Sequence, residues 1–473
     1  MRFSHTKLKY FAKLSSYACV CGFFFVPLHP NLCASMKLTV ENIGCIKKGE
    51  ISLNGLTVIA GENGSGKSTL SKMLFSVIKA VASIAQETDS SAKVLLEKYA
   101  TALYQRLPSV RHLPLVQMQE RQRILPALPK QFVNNILTLK GTEELNKYII
   151  KLEAYIENQD ELSLRVKKLA KKDIDSIKAL LYKENQARQL WSEIRYFVES
   201  EFMNQITTVG KNSSSVAFYW DEKKKEGVEF SIRNEEMNMV GCTIKNVLED
   251  ATYIESPLYL PLMDPLRRAS TYVENIKSSI LQPMVPLHVK DIVNKYDLLS
   301  NYMIVNDNEE VLYNTISEII EGKFVYDEQK RLIYFQNKEG YDLMPINVAS
   351  GVKAFGVLQV LLHIGAIDIN KPLLWDEPEN HLHPAWQVRF AEMLVLLCKA
   401  GIPIVISTHS PYFIQSVRYY AAKYEVEKAV NYYLAEKGSD GLANVEEVTD
   451  NLGVVFAKLS APLSEVMNIP NAD

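Results

Sequence analysis

Residues 61–69 read GENGSGKST, which matches the pattern GxxxxGK[ST] from Gly61 to Ser68. The apolar run Leu56 to Ala60 precedes it, and a helical pattern that starts near Ser68 and runs to about Ser83 follows it. That strand-loop-helix context is what a phosphate loop requires. Gly61, Gly64 and Gly66 let the backbone turn so that successive N–H groups converge on phosphate oxygens, reinforced by the positive end of the helix. Glu62, Asn63, Gly64, Ser65 and Gly66 make the loop, Lys67 reaches the β- and γ-phosphates, and Ser68, followed by Thr69, offers its hydroxyl to Mg²⁺. An ordinary Gly-rich turn, the competing reading, accounts for neither the strand before nor the helix after.

The other half of this site lies far along the chain. Residues 371–380 read KPLLWDEPEN, an apolar strand ending in Asp376 and Glu377. Open parallel sheets place their ligand crevice at the carboxyl ends of strands, where Asp376 can hold Mg²⁺ through its water shell and Glu377 can polarise an attacking water. An acidic turn closing a buried strand is the blander alternative, but the phosphate loop makes sense of the pair. Together the halves imply ATP as ligand and Mg²⁺ as cofactor. Two further stretches narrow the class. Val348 to Lys353 is a small-residue turn opening the apolar helix Phe355 to Ile364, and the buried strand Ile402 to Thr408 runs into His409-Ser410-Pro411. Taken alone, Ser350-Gly351 also suits a helix N-cap, and His409 a cap at a strand-helix junction.

In order and spacing these four motifs resemble the heads of ABC-type ATPases. NVASGVKAFG, LLWDEPENHLHP, VISTHSPYF and the stretch MKLTVENIGCIKKGEISLNGLTVIAGENGSGKST from Met36 are most similar to the soluble branch that holds RecF, SMC proteins and the OLD-like ATPases of bacterial defence systems. The resemblance covers residues 36 to about 80 and 250 to 470, and the stretch between them poorly. It implies an α/β P-loop NTPase of the ABC-type head, with a mixed sheet, an antiparallel β subdomain and an inserted helical lobe. It also implies that Ser350 and Gly351, with Lys353 after them, face the γ-phosphate held by a partner subunit in a head-to-tail homodimer. By the same resemblance His409 contacts the γ-phosphate beside the catalytic Glu377, and Asn380 to His383 cross the dimer interface. The signature departs from the transporter pattern, with Val352-Lys353 in place of a second glycine and a glutamine. Glu255 and Ser256 are the nearest candidates for a glutamine-type loop, with a plain strand end as the alternative. The stretch after His409 is short for the TOPRIM nuclease domain of OLD-type nucleases and has no DxD cluster suited to two metals. The resemblance therefore implies an effector, a nuclease or toxin, on another chain, as in Septu, PARIS and retron-linked defence. A RecF- or SMC-like DNA-repair ATPase and an ATP-gated interaction scaffold are the rival readings.

Composition bounds the rest. The chain has 473 residues, a length that suggests about three domains. A net charge of −2 argues against coating nucleic acid by bulk electrostatics and leaves a local basic patch open. The expected division is a leader at 1–35, the first part of the ATPase head at 36–83, a helical lobe at 84–205 and the remainder of the head at 206–470. In the leader, Arg2, Lys7, Lys9 and Lys13 precede an apolar run from Tyr17 to Leu28, shorter than the roughly 20 residues of a spanning helix yet shaped like a signal peptide. An upstream start outside the fold is the favoured explanation, ahead of peripheral membrane contact and export; the expectation is a cytoplasmic protein without stable membrane insertion. Cys45, Cys242 and Cys398 are scattered, as reduced thiols are. His381 and His383 form an HxH, but no further Cys or His stands nearby at ligand spacing, and Leu382 to Pro384 reads as a loop entering a helix from Ala385.

Within the lobe, Leu145, Tyr148, Ile149, Leu152, Tyr155 and Ile156 repeat at helical spacing behind a capping Thr142, and Leu190, Trp191, Ile194, Phe197 and Val198 make a second stripe. SMC-like relatives carry a long coiled coil here, but Pro108, Pro114, Pro126 and Pro129 break the first half and no heptad persists, so a compact helical lobe is expected. Arg165, Lys167, Lys168, Lys171 and Lys172 form a basic cluster, with Arg106, Arg111, Arg121 and Arg123 a looser one; a solvated face is favoured over phosphate contact. Hairpins are expected over residues 216–234, 323–343 and 430–448, with Phe218 and Trp220 in the core and helices over 260–322.

Overall fold

The computed structural model describes residues 36–86, 92–107, 124–266, 285–296, 307–327 and 332–467, with short interruptions inside those spans. The leader, Pro108, Arg111, Pro114, Arg121 and Arg123 lie outside the described residues. The first hairpin pairs β1 (Lys37–Ile43) with β2 (Ile46–Ser52), Lys37 opposite Ser52 and Ile43 opposite Ile46. Leu38 and Val40 point inward from β1, as a strand with one face on the core requires, and Ile43, after Asn42 at φ +55°, is buried as well. In β3 (Leu56–Gly61) all six residues are buried, because the strand is covered on both faces.

The phosphate loop leads from β3 into α1 (Lys67–Gln86). Among the described residues the lobe then holds α2 (Ala92–Arg106), α3 (Pro129–Leu137), α4 (Thr142–Glu157) and α5 (Leu164–Leu181). They enclose a core of their own in which Leu145, Ile149, Leu152 and Ile156 meet Leu103, Phe132 and Ile174, and Arg106 Nε pairs with Asp173 Oδ2 at 2.5 Å. On α5, Arg165, Lys168, Lys171 and Lys172 are exposed. The next helix, α6 (Lys183–Phe202), turns its stripe elsewhere: Leu190, Ile194, Phe197 and Val198 join Leu74 and Ile78 of α1 in the core of the head. Sequence position alone groups α6 with the lobe, whereas its apolar stripe is buried against the helix that carries Lys67.

A meander of β4 (Ser213–Asp221), β5 (Glu226–Arg233) and β6 (Glu236–Cys242) extends β1, burying Phe218 and Trp220. After β7 (Thr252–Ile254) come α7 (Leu287–Tyr296), α8 (Asp307–Ile319) and a small antiparallel sheet of β8 (Gly322–Asp327), β9 (Leu332–Asn337) and β10 (Asp342–Leu343). The chain then alternates α9 (Ser350–His363), β11 (Leu373–Asp376), α10 (Pro384–Lys399), β12 (Ile404–Thr408) and α11 (Pro411–Lys423), and closes with β13 (Val430–Lys437), β14 (Ala443–Glu447) and α12 (Leu452–Met467).

The main sheet has the order β6-β5-β4-β1-β2-β14-β13-β3-β12-β11-β7. From β13 to β7 neighbouring strands are parallel, and from β6 to β2 they are antiparallel. The fold is thus α/β with a mixed sheet and an antiparallel wing. Alternate residues of the parallel strands feed two cores: Leu56, Val58, Leu373, Trp375, Ile404 and Ile406 face α9, α10 and α11, while Ile59, Leu374 and Val405 face α1 and α6. Register then places the site, since Ala60 lies opposite Thr408 and Asp376 opposite Ser407. The carboxyl ends of β3, β12 and β11 therefore stand side by side. Among the described residues no helix is long and apolar enough to cross a membrane.

Candidate functional site

Steric necessity shapes the loop after β3. Gly66 has φ +87°, and a Cβ there would sit 2.5 Å from Ile46 Cγ1; a Cβ on Gly61 would meet the Ala435 carbonyl at 2.5 Å. Neighbouring strands press this closely, so only glycine lets the backbone pass. The first-turn N–H groups of α1 consequently face the loop, an arrangement that binds anions. Glu62, Asn63 and Gly64 are exposed at the rim, and Lys437 Nζ donates to the Asn63 carbonyl at 3.2 Å.

Lys67 is only 4% exposed, and its ammonium donates to the carbonyls of Gly61 (3.0 Å) and Glu62 (2.9 Å), with Glu377 Oε1 at 3.9 Å. Burial lowers its pKa, against the pull of Glu377, Asp376 and Glu379. Ser68, in the first turn of α1, donates its hydroxyl to Asp376 Oδ2 at 2.6 Å, and Ser407 donates to Asp376 Oδ1. Two hard oxygen ligands, one from each half of the sequence, thus meet beside the phosphate loop, a donor set that fits Mg²⁺.

Glu377 directly follows β11, with φ +47° and its N–H on the Ser407 carbonyl at 2.9 Å. Both its oxygens are engaged: Oε1 lies 3.1 Å from His409 Nδ1, and Oε2 accepts from Asn380 Nδ2 at 2.7 Å. Burial pushes its carboxyl up, but the Asn380 amide, His409 and Lys67 outweigh that and hold it below the usual carboxylate range. His409 occupies the β12–α11 junction without capping the helix; Ser410 does that, its hydroxyl accepting from the Phe413 N–H.

The structure brings Lys67, Ser68, Asp376, Glu377 and His409 into one cluster. Among the described residues no hydrogen bond or ion pair joins Ser350, Gly351 or Lys353 to it. Ser350 is exposed as the first residue of α9, whose N-cap is Ala349. A Cβ on Gly351 would meet the Trp386 ring at 2.8 Å, so close packing against α10 also requires this glycine. Lys353 is buried, with its ammonium 3.4 Å from the Ile346 carbonyl. His383 caps α10, its Nδ1 accepting from the Ala385 N–H at 3.3 Å. Glu255 directly follows β7, which lies beside β11, and is held by His288 Nε2 (3.0 Å), the Tyr259 hydroxyl (2.9 Å) and Lys72 (3.5 Å), while Ser256 caps a short helical turn.

Sequence reasoning missed Ser407, Glu379 and the Asn380 contact to Glu377. Ser407 was legible as the only hydroxyl besides Thr408 in an otherwise aliphatic strand. Glu379 carried a signal too, as a third acid within DEPEN, but only the fold shows it to be buried.

The model of the AAA ATPase domain family matches residues 36–414. No curated protein matches the chain. Similar solved structures include an SMC head domain from Thermotoga maritima, at 11% identity and TM-score 0.35, covering 88% of this chain and 99% of that one. An Smc head with an extended coiled coil, bound to the C-terminal domain of ScpA derived from Pyrococcus furiosus, gives 12%, 0.38, 92% and 100%. A third, an Smc head bound to the C-winged helix domain of ScpA, gives 13%, 0.40, 87% and 98%. With the family model spanning most of its length and the phosphate loop meeting the acidic strand end at one place, the chain belongs to the AAA ATPase domain family.

Proposed function

We propose that this chain is a Mg²⁺-dependent ATP hydrolase that acts as a head-to-tail homodimer, the ATPase subunit of a bacterial anti-phage system whose nuclease or toxin is a separate protein. The observation that carries the hydrolase reading is the contact of Ser68 with Asp376 beside Lys67, Glu377 and His409. In this reading residues 62–69 bind the phosphates of ATP, and Lys67 leaves the Gly61 and Glu62 carbonyls for the β- and γ-phosphates. Ser68 and Asp376 hold Mg²⁺, which on binding neutralises phosphate charge. Glu377, kept ionised by its neighbours, accepts the proton of the attacking water, and His409 orients it and touches the γ-phosphate. Ser350 and Gly351 serve the nucleotide of the other subunit, and Asn380 to His383 line the contact between subunits.

Removing the base tests this directly. Glu377→Gln keeps ATP binding while kcat falls by about 10²- to 10⁴-fold, the usual worth of a general base, and dimer accumulates with ATP in sizing experiments. A variant that still hydrolyses at the wild-type rate sinks the assignment. Affinity capture with Glu377→Gln and ATP then addresses the partner: a co-purifying nuclease or toxin supports the defence role. The exposed cations of α5 favour one second reading, a DNA-repair ATPase of the RecF or SMC kind. Salt-sensitive stimulation of turnover by DNA ends supports that alternative.

A further inference from the structure

Glu379 stands in the turn between β11 and α10 and is 3% exposed. Its Oε1 accepts two hydrogen bonds, from the Thr408 hydroxyl and from the backbone N–H of His409 at 3.2 Å. Among the described residues its buried Oε2 has no hydrogen-bond partner. Charge on that oxygen would be unsolvated, so burial pushes this carboxyl up, against the hydrogen bonds from Thr408 and the His409 backbone. The consequence reaches the catalytic pair. His409 Nδ1 is 3.8 Å from Glu379 Oε1 and 3.1 Å from Glu377 Oε1. The imidazole thus lies nearer to Glu377 than to Glu379.

Fold stability does not account for such a group. A buried acid with one orphan oxygen is worse for folding than an apolar side chain of similar volume. What it does supply is a fixed acceptor at the one place where β12 ends and the catalytic histidine begins. We propose that Glu379 is a positioning residue for hydrolysis: its Oε1 anchors Thr408 and the backbone of His409, and thereby sets the imidazole against Glu377. This deepens the hydrolase reading and rests on Glu377 and His409 forming the catalytic pair.

Two substitutions separate positioning from bulk. Glu379→Gln keeps an acceptor of the same shape, and Glu379→Leu fills the volume with no acceptor. For Glu379→Leu, kcat falls by about 10-fold or more with KM for ATP within about 2-fold, because misplaced catalytic groups lose rate rather than binding. Glu379→Gln restores kcat to within about 3-fold of wild type. The His409 imidazole signals, read by NMR on the full chain without nucleotide, move in Glu379→Leu and stay in place in Glu379→Gln; thermal unfolding confirms that both variants fold. Wild-type kcat or unmoved imidazole signals in Glu379→Leu overturn the proposal, as does a Glu379→Gln variant as impaired as Glu379→Leu. If instead Glu377→Gln hydrolyses at the wild-type rate while the imidazole still moves in Glu379→Leu, the catalytic assignment fails and the anchoring of His409 stands.

Discussion

His288 is fully buried between two carboxylates, with Nδ1 2.7 Å from Glu201 Oε1 and Nε2 3.0 Å from Glu255 Oε2. Tyr253 meets its ring edge-on, the Tyr259 hydroxyl lies 3.4 Å away, and Lys72 stands behind Glu255. Only the imidazolium carries N–H on both ring nitrogens, so both contacts together require the charged form. Burial pushes the His288 pKa down, but the two carboxylates outweigh it and raise it above the ordinary 6.5. A raised folded-state pKa contributes stability that is complete below about 6.5 and is lost as pH rises through the folded value. The urea midpoint of the wild type therefore falls as pH climbs through the alkaline side of neutrality, and His288→Gln removes that slope. A wild-type midpoint independent of pH over this range would falsify the charged state. Glu255 behaves oppositely: the His288 contact, then Lys72 and Tyr259, hold it to about 2, so its contribution exists above its unfolded value and disappears only in strong acid.

Among the elements, α9 shows how one buried amide can join three segments. Gln359 accepts from the Phe324 N–H of β8 at 2.8 Å and donates to the Ser317 hydroxyl of α8 at 2.8 Å and to the Gly322 carbonyl at 3.3 Å. A Cβ on Gly356, one turn earlier, would overlap the Phe324 ring at 2.0 Å, so helix and small sheet are in direct contact. Gln359→Leu keeps the volume but strands the buried Phe324 N–H, and about 1–3 kcal/mol of unfolding free energy is expected to be lost. Denaturant titration measures it; a loss below about 0.5 kcal/mol would mean that water or a shifted neighbour replaces the amide. The helical character of this stretch and the hairpin before it were legible from periodicity, because aliphatic spacing depends on local geometry alone. The Gln359 contacts were not, since a glutamine in an apolar run looks the same whether it faces solvent or an unpaired strand end.

For the whole molecule, the exposed Ser350 at the start of α9 bears on assembly. If Ser350 and Gly351 complete the site of a neighbour, Lys67→Ala and Ser350→Arg subunits are each inactive alone. Mixed together they regain turnover, since half of each heterodimer pairs an intact phosphate loop with an intact signature. A mixture as dead as its parents argues for complete sites within single chains. The lobe adds a separate unit at this scale: its core of Leu103, Phe132, Leu152 and Ile174 is distinct from both cores of the head, whereas α6 is packed onto α1.

By itself the sequence determined the strand-loop-helix around GENGSGKST, the acid-ended strand LLWDE, the hairpins and the amphipathic helices. Each is governed by contacts between residues a few positions apart, so spacing and residue type suffice. Tertiary structure decided what no spacing encodes: that β12 lies between β3 and β11, that Ser407 and Ser68 grip the two oxygens of Asp376, and that Glu379 disappears into the core. It also brought Glu201, Glu255 and His288 together from three separate segments. The reason is physical: strand order and burial depend on how the two apolar faces of the sheet are covered by helices far away in the chain, and a charged residue acquires its partner and its pKa only once that covering is complete.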